Sequence, residues 1–163
     1  MSKYLLDSNT LITAYRVRYP MHIVPTFWEK LLNEFEKNST CIIDFVLAEI
    51  RKGEDQLKEW IDENIDSITV FDSSDIQVVN EYRNVIQEVV NNPDYKDIAK
   101  NDFADKADSW LIAHAKAYGY IIVTEEVFVR DSKKRVPIPN ECIKHGVDYI
   151  TIVDYLRRTG MKI

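Results

Sequence analysis

The chain has 163 residues, of which 45% are hydrophobic and 29% charged, with only four glycines and five prolines. That length and balance exclude a disordered or fibrous chain and allow one domain whose core needs no disulfide or zinc staple. Twenty-seven acids against 21 bases leave a net charge of −6, which argues against nucleic acid being held over the whole surface but permits a basic rim around a cation-holding acidic site.

In chain order, KYLL (3–6) reads as a short buried strand ending at Asp7, with Ser8 or Asn9 able to cap the short helix LITAYRVR that runs until Pro20. Residues 26–37 place Phe27, Leu31, Leu32 and Phe35 at helical spacing. TCIID (40–44) is a second strand, after which Asp44 serves as N-cap for FVLAEIRKG, with Gly53 as its terminator. A helix over EDQLKEWIDENI, a third strand over 67–71 and a turn and cap at DSSD follow. Val78, Val79, Tyr82, Ile86, Val89 and Val90 define a long helix closed by Asn91-Asn92-Pro93.

Residues 94–104 are polar and read as irregular. KADSWLIAHAKAYG is a helix that carries both Asp105 and Asp108 near its start and has Gly119 as C-cap. YIIVT (120–124) has the unbroken apolar character of a buried parallel strand, with Glu125 and Glu126 directly behind it. The basic loop VRDSKKRVPIP, a short helix NECIKHG, a strand YITI and a final helix VDYLRRTG complete the chain. Strands alternating with helices define an α/β domain spanning 1–163, with a mostly parallel sheet and right-handed crossovers. No run of about 20 apolar residues crosses a membrane, and MSKYLLDSNT lacks a signal-peptide pattern, so a cytoplasmic protein is expected. Cys41 and Cys142 stand alone in apolar surroundings and read as buried thiols.

Asp7, Asp108 and Glu126 stand at strand ends or helix starts directly beside apolar segments, and Glu49 interrupts the apolar run FVLAEI. Ligands of open α/β sheets bind outside the carboxyl ends of the strands, where Asp7 and the Glu125-Glu126 pair fall. Clustered carboxylates repel one another unless something positive sits among them, and an all-oxygen donor set favours Mg²⁺ or Mn²⁺. Such a site suits phosphodiester hydrolysis. The competing structural reading is that acids at helix N-termini merely cap the helix or favour its dipole. His22, His114 and His145 are scattered, with His114 read as a packed side chain, and no Gly-rich phosphate loop occurs.

YLLDSNTLI, FVLAEIRKG and ADSWLIAHAKAYGYIIVTEE, in that order, resemble the PIN-domain family over nearly the whole chain, and the FWEKLL and C-terminal segments resemble a prokaryotic branch related to the toxin ribonucleases of type II toxin–antitoxin operons. The resemblance implies a three-layer α/β/α fold with a central sheet of four to five strands. It also implies an endoribonuclease dependent on Mg²⁺ or Mn²⁺, acting on single-stranded or loop RNA. Asp7, Glu49, Asp108 and Glu126 are then the catalytic metal ligands, Asp105 an additional one, and Asn9 and Thr124 their polar supports. Glu125 fits less well, because the family spacing puts the acid two residues after Thr124. An antitoxin protein is the expected partner, with an arginine reaching the acidic cleft, and the resemblance suggests a homodimer. Two basic segments flank the site, Tyr15, Arg16, Arg18 and Tyr19 on one side and Lys133, Lys134 and Arg135 on the other, and can hold an RNA backbone. The alternative is a PIN-fold RNA-binding or regulatory module with little nuclease activity.

Overall fold

The apolar runs expected to be strands pair in the computed structural model, which describes residues 2–163. β1 (Tyr4–Leu6), β2 (Thr40–Ile43), β3 (Val70–Phe71), β4 (Ile121–Val123) and β5 (Tyr149–Ile150) form one sheet in the order β3-β2-β1-β4-β5. Every pairing is parallel. The expected α/β class is therefore found, with five strands and a sheet that is parallel throughout rather than mostly so. Leu5, Leu6, Ile42, Ile43, Ile122 and Val123 are fully buried, as a sheet covered on both faces requires.

Between the strands run α1 (Ser8–Thr13), α2 (Pro25–Glu36), α3 (Asp44–Arg51), α4 (Gln56–Glu63), α5 (Ile76–Asn91), α6 (Asp97–Asp105), α7 (Ala107–Tyr118) and α8 (Ile138–His145), and α9 (Ile152–Thr159) follows β5. A single π-type turn, Ala14–Arg18, continues α1. The amphipathic pattern of α2 buries Phe27, Leu31 and Phe35. α5 and α7 pack together with Trp110 lying flat on Tyr82, ring centroids 3.7 Å apart.

Four local expectations change. The polar 94–104 stretch is largely α6, because Ala99 and Phe103, four residues apart on one face, reach the core. That helix ends at Asp105, and Lys106 is extended (φ −103°, ψ 165°), so Asp105 and Asp108 belong to different helices. Asp44 is the first residue of α3 rather than its cap, since its carboxylate is used across the chain, accepting from the Ser73 amide at 3.0 Å. Gly53 does not end α3 in the left-handed region; Glu54 carries a positive φ nearby.

β1 meets β4 where the strand order reverses: β2 and β3 lie beyond β1, and β5 beyond β4. The crevice at the carboxyl ends of β1 and β4 is the topological switch point at which parallel α/β sheets take their ligands. Gly119, at φ +73°, stops α7 and turns the chain into β4. Open space surrounds its absent Cβ, so Gly119→Ala is opposed by backbone conformation alone. The expected cost is about 1 kcal/mol, read as a lower urea midpoint at unchanged slope. A neutral or stabilising result would contradict this account of the turn.

Candidate metal centre

Asp7 emerges from β1 as the N-cap residue of α1, yet its side chain makes no capping bond. Its carboxylate accepts instead from the Thr124 hydroxyl at 3.1 Å, and that hydroxyl also accepts the Glu126 amide at 3.1 Å. Thr124, the residue after β4, thus ties the ends of the two central strands together. Asp7 is 1% exposed. Burial, and then the charges of Glu126 and Glu49, push its carboxyl up to about 7 against the Thr124 hydroxyl and the Asn9 amide, which favour the charged form.

Asp108 lies in the first turn of α7 and is buried. Burial comes first again, followed by Asp7, Glu126 and Glu49, and together they raise it to about 8 against the opposing charge of Lys106. Glu49 supplies what a cap would. Its Oε2 accepts the Ala107 amide at 3.1 Å, the first of α7, and its Oε1 accepts the Ser8 hydroxyl at 2.6 Å. Asp108 is consequently not needed to cap its own helix, and the capping explanation moves from Asp108 to Glu49.

Glu126 has one oxygen engaged and one free. Oε1 accepts the Ile138 amide at 3.2 Å and lies 3.0 Å from the Arg135 guanidinium. Oε2 is buried without a hydrogen-bond partner. Glu125 points to different work: its Oε1 accepts the Ile152 amide at 2.9 Å and its Oε2 pairs with Arg18 at 3.0 Å.

Asp7, Glu49, Asp108 and Glu126 therefore share one crevice, close enough that each of the other three raises Asp108. Asn9 lines both of its openings. One, of about 200 Å³, runs past Ser8, Glu49, Lys106 and Asp108, and the other, of about 540 Å³, past Glu126, Val127, Val129 and Pro137. Asp105 is not brought to this crevice: it is exposed at the end of α6, where its charge bears on Tyr82. The kink at Lys106 turns it away from Asp108. Arg16, Lys133 and Lys134 are exposed without lining either opening, whereas Arg135 lines both. Ser8 and Lys106 had no place among the expected site residues, and Arg135 was expected only as one member of the basic segment 133–135. Ser8 and Lys106 are sequence neighbours of two of the acids, but nothing in the sequence singles out Arg135, nine residues beyond Glu126 in an irregular loop.

The donor set suits a divalent cation. It is all oxygen, it includes a buried carboxylate oxygen with no partner, and it holds two aspartates whose ionisation burial opposes. His114 belongs elsewhere. Its Nε2 lies 2.9 Å from Ser73 Oγ, and that hydroxyl donates to Asp44 at 2.5 Å, so the serine proton is committed away from the imidazole and no nucleophile is prepared. A cavity of about 330 Å³ bordered by Phe71, His114, Tyr118 and Tyr120 shares no residue with the carboxylate crevice.

Chains in solved structures share this α/β architecture. A chain in the crystal structure of VapBC2 from Rickettsia felis bound to a DNA fragment from their promoter superposes with a TM-score of 0.57 and 16% identity, covering 91% of this chain and 97% of that one. A chain of FitAcB from Neisseria gonorrhoeae gives 0.50 and 18%, covering 90% and 96%. The chain belongs to the family described as a domain of unknown function, DUF4411, whose model matches residues 4–163. No curated protein matches it.

The raised carboxyls have a stability consequence. Well below the ordinary value of 3.8 both aspartates are protonated whether folded or unfolded, so the opposition to their ionisation costs nothing there. As pH rises the unfolded chain ionises first, and stability falls until pH passes the folded values of about 7 and about 8. Asp108→Asn should therefore raise Tm in chelator by roughly 4–8 °C at pH 8, for a gain of about 2 kcal/mol, and by less at pH 5. Equal destabilisation at both pH values would show that the Asp108 carboxyl is not held against its charge.

Proposed function

We propose that residues 1–163 form a single nuclease domain that hydrolyses RNA internally with a divalent cation, Mg²⁺ or Mn²⁺, held by Asp7, Glu49, Asp108 and Glu126. The observation that carries this reading is the convergence of four carboxylates at the β1/β4 switch point, with both aspartates driven toward neutrality by burial and by the other acids. A bound cation there supplies positive charge for phosphodiester oxygens and acidifies water for attack.

The chain's own groups prepare that site. The Thr124 hydroxyl and the Asn9 amide favour the charged form of Asp7 against the larger effect of its burial. The Ala107 and Ile138 amides fix Glu49 and Glu126 by one oxygen each. Arg135 reaches the rim as the forked donor that can pair with a phosphate. Arg16, Lys133 and Lys134 are exposed and suited to backbone contacts with single-stranded or loop RNA, while Arg18 is partly occupied by Glu125.

The kinship in fold with chains of the VapBC2 and FitAcB structures supports a role as the toxin of a type II toxin–antitoxin pair with an antitoxin as partner, and the proposal extends to a homodimer acting in the cytoplasm. Among the described residues no helix is long and apolar enough to cross a membrane. An antitoxin arginine entering the crevice would meet the Glu126 oxygen that Arg135 touches.

The test compares Asp7→Asn with Glu125→Gln. With Mn²⁺ and an unstructured RNA, Asp7→Asn should lower cleavage at least a hundredfold, while Glu125→Gln, outside the proposed ligand set, should change it less than fivefold. Cleavage that survives Asp7→Asn unchanged would remove the nuclease assignment and leave an RNA-binding module.

A further inference from the structure

Three buried polar atoms outside the carboxylate crevice lack hydrogen-bond partners and point at one another: Glu88 Oε2 on α5, and Glu141 Oε1 and His145 Nε2 on α8. Together they lie within 4.8 Å. Glu141 and His145 are four residues apart and so share one face of α8, and their side chains are only 0% and 7% exposed. Buried polar groups without partners are rare enough in folded proteins that each demands an explanation. Here three of them meet.

Pairing of His145 with either carboxylate does not explain the cluster, and the hydrogen bond between the Glu88 and Glu141 carboxyls accounts for those two only while one of them holds a proton. His145 Nε2 stands 3.8 Å from Glu88 Oε2 and 3.9 Å from Glu141 Oε1, beyond a hydrogen bond in both directions. Two donors each about 2.1 Å from a shared zinc-sized ion stand about 3.4–3.6 Å apart at tetrahedral to trigonal angles, close to the separations seen. The outer oxygens are already supported. Glu141 Oε2 accepts the Tyr95 hydroxyl at 2.9 Å and lies 3.2 Å from Lys144, which also stands 3.5 Å from Glu88 Oε1. The inner oxygens are left facing the imidazole.

We propose that Glu88, Glu141 and His145 form a second cation site that binds a transition-metal ion of the zinc class and clamps α5 to α8. One imidazole nitrogen and two carboxylate oxygens are donors for such an ion rather than for Mg²⁺. Tyr95 and Lys144 orient the carboxylates, whereas Lys116 donates to His145 Nδ1 at 3.1 Å, which leaves the ring proton on Nε2 until an ion displaces it, and also lies 3.1 Å from Glu81 Oε2. With Nε2 on an ion the ring carries its proton on Nδ1, so Lys116 turns wholly to Glu81. The clamp is independent of the proposed nuclease. It bears on that site only mechanically, because the first amide of α8, that of Ile138, holds Glu126.

The experiment titrates Zn²⁺ into the Asp7→Asn chain by calorimetry, after chelation and in excess Mg²⁺ to occupy the all-oxygen crevice, with metal content measured after dialysis. One Zn²⁺ per chain is expected, with Kd weakened at least tenfold by His145→Gln and by Glu88→Gln. Thermal midpoints of both variants in chelator identify any that does not fold, and the other then decides. Zn²⁺ should raise the Tm of the parent but not of the variants. Failure of the parent to bind Zn²⁺, or equal binding by parent and variants, overturns the proposal and leaves a proton shared between Glu88 and Glu141 as what holds the cluster together. Neither result depends on RNA cleavage, so the nuclease reading stands or falls separately.

Discussion

Two aspartates sunk at the meeting of β1 and β4 are the constraint around which the rest of this chain is arranged. Burial alone opposes their ionisation, and each lies within reach of two glutamates that oppose it further. Four acids gathered at the carboxyl edge of the sheet work against stability, because every one ionised there repels the others, whatever two of them gain by accepting helix amides. Positive charge resolves this, and the chain's own supply is small: Lys106 beside Asp108 and one Arg135 contact on Glu126. The balance left over is what a divalent cation provides.

Helix N-termini explain why acids gather at this edge without all having the same role. Glu49, Glu126 and Glu125 each accept the first amide of a helix far away in sequence, those of α7, α8 and α9. Exposed N–H groups and the helix dipole make such positions favourable for carboxylates. The glutamates thus have a structural occupation, and the aspartates do not. Of the three glutamates, Glu125 spends its second oxygen on Arg18 and Glu49 on Ser8, while Glu126 keeps one buried oxygen without a partner. Unequal use of the second oxygen separates Glu126 from its neighbour Glu125 more sharply than spacing after Thr124 does.

Much of this was legible because short-range chemistry decided it. Unbroken apolar runs became strands, Gly119 stopped α7, and Asp7 followed β1 to the sheet edge. Asp105 was misplaced for a reason no periodicity carries: an apolar pair, Ala99 and Phe103, drew a polar segment into a helix, and the extended Lys106 then broke the register between the two aspartates. The capping roles of the glutamates were equally hidden, since they join residues 12 to 58 positions apart. Asp44 shows the same limit. A local rule made it a cap, but Ser73, 29 residues on, claimed both its oxygens.

Arg135 bears most directly on how a chain of net charge −6 could engage the RNA proposed as its substrate. Lys133 and Lys134 precede it in the same loop and reach only solvent, whereas Arg135 borders both openings of the crevice and contacts Glu126 Oε1. An exposed cation adds a diffuse attraction that salt screens, while a guanidinium fixed at the rim can pair two-pronged with one phosphate. Its Glu126 contact is more than half exposed on the arginine side, so exchanging that partner for a phosphate costs little. A cation bound at the carboxylates would favour the exchange, because it takes over the charge that Arg135 otherwise balances. Acidic composition and RNA binding are then compatible, with attraction concentrated at the one place where the acids themselves demand it.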